Sequence, residues 1–187
     1  MEDQTDTLMR MRENINQMIS MHSKKRDELR RYDWVFTAIC IAASIIVCGF
    51  TFYEYGGDEV GKMVHTGISI ISILLLAATL LNSFSNLRVK ADDHSRAANE
   101  FAILKKEIDS RLAINDMDSR QLDDFIITIN EEIADIANIA VISEKDFPRL
   151  KHYHLRKEQY RKMVDEHVSD SYPVARFKMW RRIKNNK

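Results

Sequence analysis

The residues best able to do chemistry in this chain are a glycine-rich acidic segment, scattered histidines and two cysteines. Gly56-Gly57-Asp58-Glu59-Val60-Gly61-Lys62 has the GxxxxGK spacing of a phosphate-binding loop, in which backbone amides cradle phosphate and the lysine reaches its outer oxygens. Met63 stands where that chemistry needs a magnesium-binding Ser or Thr, no buried strand precedes the loop, and two carboxylates occupy the phosphate cradle. Cys40 and Cys48 lie in an uncharged run, where neither a disulfide framework nor a four-ligand zinc site can be built. His152 and His154, two apart on a helix, point to different faces and are not a metal pair. His22 and His94 fall on helical seams, where a buried, hydrogen-bonded imidazole is the commoner role and a pH switch the alternative. No Ser, Cys or carboxylate pair has the spacing of a nucleophile with its base. The expectation is a protein that is not an enzyme, with no catalytic residue, no cofactor and no metal.

The same acidic segment contains Gly-Gly-Asp-Glu-Val, close to the signature turn of diguanylate cyclases, which carry it on a hairpin in a domain far larger than the space here. Its flanks explain it better. Trp34 to Tyr53 and Met63 to Leu87 contain no Asp, Glu, Lys or Arg, and each meets the roughly 20 apolar residues that a bilayer core of about 30 Å requires. A tight turn then accounts for the glycines and solvation for the acids, with Glu54, Asp58 and Glu59 as candidate charges at a pore mouth, where they would favour cations.

These runs are concealed in the averages, because a mean hydropathy of -0.34 and a formal net charge of zero over 187 residues describe an ordinary soluble chain. The first 33 residues are too charged for a signal peptide, so the first run reads as a retained anchor. Lys24, Lys25, Arg26, Arg30 and Arg31 precede the first run, Arg88, Lys90 and Arg96 follow the second, and the turn between them offers only Lys62. The positive-inside rule therefore puts both termini in the cytoplasm of a multi-pass protein of the cell membrane. Trp34, Tyr53 and Tyr55 fall at the interfaces, where amphipathic rings are favoured.

Leu8, Ile15, His22, Leu29 and Phe36 recur every seven residues, with Met11, Met18 and Tyr32 beside them, and no Gly or Pro appears before Gly49. One helix is expected from residue 1 through the first span. Leu87, His94, Phe101 and Ile108 repeat in the same way after the second span, with Ala91, Ala98, Leu104 and Leu112 alongside. Asp118 and Gln121 resemble a capping box for a further helix, whose stripe is Leu122, Phe125, Ile126, Ile129, Ile133, Ile136 and Ala140. Pro148 suits the first turn of a last helix, about Arg149 to Val168. The former is acidic (Asp123, Asp124, Glu131, Glu132, Asp135) and the latter basic (Arg149, Lys151, Arg156, Lys157, Arg161, Lys162), so an antiparallel pair gains from opposite charge.

The fold class expected is an all-α membrane protein, a two-span transmembrane hairpin extended by cytoplasmic helices and a C-terminal antiparallel helical hairpin. By residue number, 1–33 is a cytoplasmic amphipathic helix continuous with the span 34–53, 54–62 the external acidic turn and 63–87 the second span. A cytoplasmic helical region, 88–170, and a basic aromatic tail, 171–187, complete the chain. In the tail, Arg176, Lys178, Trp180, Arg181 and Arg182 are candidates for contact with anionic lipid, since basic residues near a charged surface contribute about 1 kcal/mol each. Packing on the helical core is the plainer reading of the tail, and nucleic acid is not the expected partner.

Within the second span His65, Ser72, Thr79 and Asn86 are each seven apart, and Ser69, Asn82 and Ser83 lie near the same stripe. Ile70, Ile73, Leu74 and Leu81 make the other side aliphatic. Polar groups are costly against lipid, so the stripe is a candidate pore lining, or else a set of hydrogen bonds to the first span or a neighbouring subunit. Cys40, Ser44 and Cys48 place a small residue at every fourth position of the first span, suited to close helix packing in a homo-oligomer.

Two spans followed at once by His94-Ser95-Arg96-Ala97-Ala98-Asn99-Glu100-Phe101-Ala102-Ile103-Leu104 resemble the SLATT proteins, two-span effectors associated with SMODS and SLOG domains. The likeness covers nearly the whole chain and is carried by His94, Arg96, Ala98, Phe101 and Leu104, with Phe101 where a tyrosine is commoner. The resemblance implies an oligomeric pore-forming effector of prokaryotic antiviral defence. It would stay silent until a partner, a nucleotide-signal synthase or sensor or a reverse transcriptase, triggers permeabilisation and cell death. The alternative is a non-conducting scaffold that anchors a helical docking module for a cytoplasmic partner.

Overall fold

The structure, a computed structural model, describes residues 2–51, 59–113 and 119–166. Five helices and no strand make up the described residues: α1 (Glu2–Thr51), α2 (Glu59–Ser85), α3 (Leu87–Leu112), α4 (Ser119–Ile139) and α5 (Phe147–Glu166). The chain divides into two compact units, one of residues 1–24 with 97–187 and the other of residues 25–96.

The first is a helical unit built on the seams. Leu8, Met11 and Ile15 of α1 are buried with Ala97, Phe101, Leu104 and Ile108 of α3 in a single cluster. The stripe of α4 completes it, with Leu122, Phe125, Ile129, Ile136 and Ala140 buried and Ile126 and Ile133 packed on its edge. These residues recur at three- and four-residue spacing because that interval returns a side chain to the same helix face. His22 is buried too, its ring tilted 45° against Phe101 at 5.6 Å between centroids. At the rim, Gln4 Nε2 donates to Asp123 Oδ1 at 2.8 Å, Arg12 pairs with Asp109, and the Arg111 guanidinium lies 5.0 Å from the Phe125 ring centroid.

α5 is held differently. Asp146 is its N-cap: the Asp146 carbonyl accepts from Leu150 N at 3.0 Å, while the Asp146 amide donates to Ser143. Pro148 sits in the first turn as expected, where its missing amide costs nothing. Leu150, His154 and Met163 are buried, and the Lys24 ammonium lies 5.1 Å from the centre of the Tyr153 ring. The expected charge pairing with α4 is absent: Asp124, Glu131, Glu132 and Asp135 are exposed, and among the described residues no ion pair joins α4 to α5. The burial of α4 is decided by its apolar stripe on α1 and α3, and solvated surface charges contribute too little to override it. The proposed capping box rests on Asp118, outside the described residues.

The second unit carries the long apolar stretches of the chain, flanked by charged residues. Within α1 and α2 lie 18-residue stretches of mean hydropathy 2.0, none of them buried, so both helices are long and apolar enough to cross a membrane. Phe36, Cys40, Ala43 and Val47 of α1, and Val64, Ile68, Ser72 and Leu75 of α2, are half-buried at helical spacing. Outside these stripes Ile39, Ile45, Ile46, Ile70, Ile73 and Leu74 are exposed. So large a bare apolar surface requires a cover of lipid or protein. Arg30 of α1 reaches Asp92 of α3 at 3.0 Å, an exposed pair worth about 0–1 kcal/mol.

The second seam, from Leu87 to Ile108, lies wholly within α3, and that helix is not continuous with α2. α2 stops at Ser85 and α3 begins at Leu87, with Asn86 between them at φ 51°. Asparagine tolerates this left-handed conformation better than other residues with a side chain beyond Cβ, and its carbonyl then accepts from Lys90 N at 2.9 Å to start α3.

Candidate functional site

In the apolar unit the structure shows where the polar stripe of α2 spends its hydrogen bonds. Ser69 Oγ donates to the carbonyl of His65 at 3.0 Å, Ser72 Oγ to that of Ile68 at 2.8 Å, and Thr79 Oγ1 to that of Leu75 at 2.8 Å. Ser44 of α1 does the same to Cys40 at 2.8 Å. A hydroxyl bonded to the carbonyl one turn back has its donor satisfied inside its own helix, so its cost in hydrocarbon falls. These three hydroxyls of the stripe therefore do not by their chemistry demand water or a partner. The stripe is also not one surface: Ser72 belongs to the half-buried side, whereas His65, Ser69, Thr79 and Asn86 are exposed.

Of the small-residue positions, Cys40 is half-buried, and Ser44 and Cys48 are exposed. Asn82 and Ser83 lie on α2, and Glu59 opens it, but their side chains fall outside what the structure describes. Glu54 and Asp58, and Arg176, Lys178, Trp180, Arg181 and Arg182 of the tail, lie outside the described residues.

The segment that carries the family resemblance is mostly core. Ala98, Phe101 and Leu104 are buried, as is His94, while Arg96 is exposed. Packing accounts for the spacing of the four buried positions, and Arg96 lies outside that account.

The helical unit holds a polar cleft that sequence reading did not identify. It encloses about 300 Å3 between α1, which supplies Arg12, Glu13 and Asn16, α3, which supplies Lys105, and α5, which supplies His154, Glu158 and Arg161. Lys105 Nζ donates to Asn16 Oδ1 at 3.1 Å, and Arg161 pairs with Glu158 at 3.0 Å along α5. His154 is 4% exposed, and its Nδ1 is buried without a hydrogen-bond partner. A lysine at the edge of a seam and a histidine one turn after Leu150 are unremarkable in one dimension. No signal in the sequence separates His154, which is buried, from His152, which is exposed. Among the described residues no cluster of His, Cys, Asp or Glu could hold a metal ion.

Burial holds the His154 pKa below its ordinary value, a pull that Lys157 and Arg161 assist and Glu158 and Glu13 oppose. The unfolded chain thus binds a proton that the fold refuses. The stabilising contribution of neutral His154 is complete above the unfolded pKa near 6.5 and is lost as pH falls from there through the depressed folded value. The helical signal of the protein in micelles should melt at lower temperature at pH 5.5 than at pH 7.5, and His154→Gln should shrink that difference. Equal pH sensitivity in both proteins would refute the assignment.

Over the described residues the arrangement defines a class: an all-helical protein with two membrane-length apolar helices and a helical unit containing a polar cleft. No family model, curated protein or solved structure matches the chain.

Proposed function

We propose that the protein is an oligomeric, pore-forming membrane effector of a prokaryotic antiviral defence system. α1 and α2 form a transmembrane hairpin in the cell membrane, with both termini in the cytoplasm, and the helical unit, its α4 and α5 running antiparallel, governs assembly. The observation that carries this reading is the bare apolar surface of both helices, from Ile39 to Phe50 and from Ile70 to Leu80, beside a strip bearing His65, Ser69 and Thr79. A surface of that size is stable in lipid, and copies arranged with the strip inward would line a lumen.

The resemblance of the segment from His94 to Leu104 to SLATT proteins supplies the defence context, with a nucleotide-signal synthase or sensor, or a reverse transcriptase, as the activating partner. The protein has no enzymatic step and no cofactor in this reading. The second reading is a non-conducting scaffold, favoured by the hydroxyls of Ser69, Ser72 and Thr79 being satisfied within α2.

Conductance of liposomes containing the purified protein separates the two. A pore gives ion flux that Ser69→Leu with Thr79→Leu lowers about tenfold or more, which corresponds to about 1.4 kcal/mol in the barrier. Absence of flux under every trigger, with both variants equally silent, leaves the scaffold.

A further inference from the structure

The cleft of the helical unit contains two polar groups that the chain leaves incompletely matched. Lys105 is half-buried and its ammonium rests on the neutral amide oxygen of Asn16 at 3.1 Å, with no carboxylate in ion-pair contact. Such an ammonium carries three donors, and the neutral amide oxygen that takes one of them supplies no opposite charge. His154, on the other side of the same cleft, is almost wholly buried with Nδ1 unpartnered, a condition rare enough in folded proteins to require a cause.

The remaining charges do not fill the vacancy. Arg12 is engaged by Asp109 and Glu158 by Arg161, while Glu13 is exposed. With Arg12 and Arg161 each paired, Lys105 is left as a lining cation with no carboxylate in contact among the described residues. A volume of about 300 Å3 is at the lower end of the range for small-molecule sites.

We propose that this cleft is a binding site for a small organic oxyanion, a carboxylate or phosphomonoester, whose anionic oxygens meet Lys105 and whose body lies against His154. Arg12 and Arg161 retain N–H groups beyond their ion pairs and add to the attraction. Because α1, α3 and α5 all contribute, occupancy ties α5 to the two helices that carry the core. The site does not depend on whether the membrane unit conducts, and its test measures no ion flow.

The full-length protein in micelles is titrated calorimetrically at constant ionic strength with inorganic phosphate and, separately, with succinate. Saturable binding of phosphate assigns the site to phosphoryl ligands, and of succinate to carboxylates. Lys105→Met should weaken binding about tenfold or more, Lys105→Arg should retain it to within about threefold, and His154→Gln should weaken it about threefold to tenfold. Lys145→Met, in the loop before α5, should bind as the parent does. Circular dichroism checks that each variant keeps its helices. The proposal is overturned if neither anion binds saturably up to about 10 mM, a limit near 2.7 kcal/mol of binding free energy, or if folded Lys105→Met binds as tightly as the parent.

Discussion

Replacing Phe101 with Ala should destabilise the helical unit by about 3–5 kcal/mol, the range for removing a fully buried aromatic side chain without collapse of the cavity. Phe101 is 0% exposed and is clustered with Leu8, Ile15, Leu104 and Ile108, with the His22 ring against it. Those neighbours come from two helices whose backbones are fixed by further contacts along their length, so the cavity cannot close cheaply. Against a typical domain stability of about 5–15 kcal/mol, the loss would unfold a substantial fraction of the unit near its working temperature. Denaturant titration followed by circular dichroism measures it, with Ile103→Ala, an exposed neighbour one position from Ala102, as the control expected within about 0.5 kcal/mol. A loss below about 1 kcal/mol for Phe101→Ala would mean that the seam of α3 is not the core. The result bears on function as well: it would assign the aromatic position of the family-like segment to packing instead of partner contact.

Paired substitution of Ile73→Asp and Leu74→Asp should abolish stable membrane integration of α2. Each aspartate near the centre of a span costs about 2.5–3.5 kcal/mol, and the aliphatic residues it replaces lose about 0.3–0.6 kcal/mol each, so the pair costs about 6–8 kcal/mol. Both parent side chains are strongly exposed, so nothing in the protein's own interior would account for such a loss. The outcome separates lipid from water. If the bare face of α2 met solvent, two carboxylates there would be harmless and would raise solubility. Alkaline extraction of membranes, with accessibility labelling of a cysteine placed before α2, reads the result. A doubly substituted protein that stays integrated, with its label position unchanged, would rule out α2 as a lipid-facing span.

The helices themselves were legible because their signals are local and repeated. The seven-residue recurrence from Leu8 to His22, and from His94 to Ile108, identified buried positions that the core confirms. The stripe of α4 was equally clear, for each apolar position lies three or four residues from the next. The break at Asn86 was missed because asparagine at one position of a polar repeat looks like another member of that repeat, and its left-handed backbone leaves no trace in the spacing. The charge pairing of α4 with α5 was overread, because complementary composition says nothing about which faces are already committed elsewhere.

One-dimensional pattern determined what does not depend on neighbours: the helical class, the length and apolarity of two helices, and the faces that must be covered. It could not say how the hydroxyls of Ser69, Ser72 and Thr79 are satisfied, since a polar side chain on a helix can serve water, a partner or its own backbone, and only coordinates distinguish them. Nor could it bring Asn16, Lys105 and His154 to one cleft, because they lie on three helices far apart in the chain and each alone is an ordinary surface or seam residue. Burial is a property of the assembled helices, and it is burial that turns His154 from one more histidine into a polar group in need of a partner.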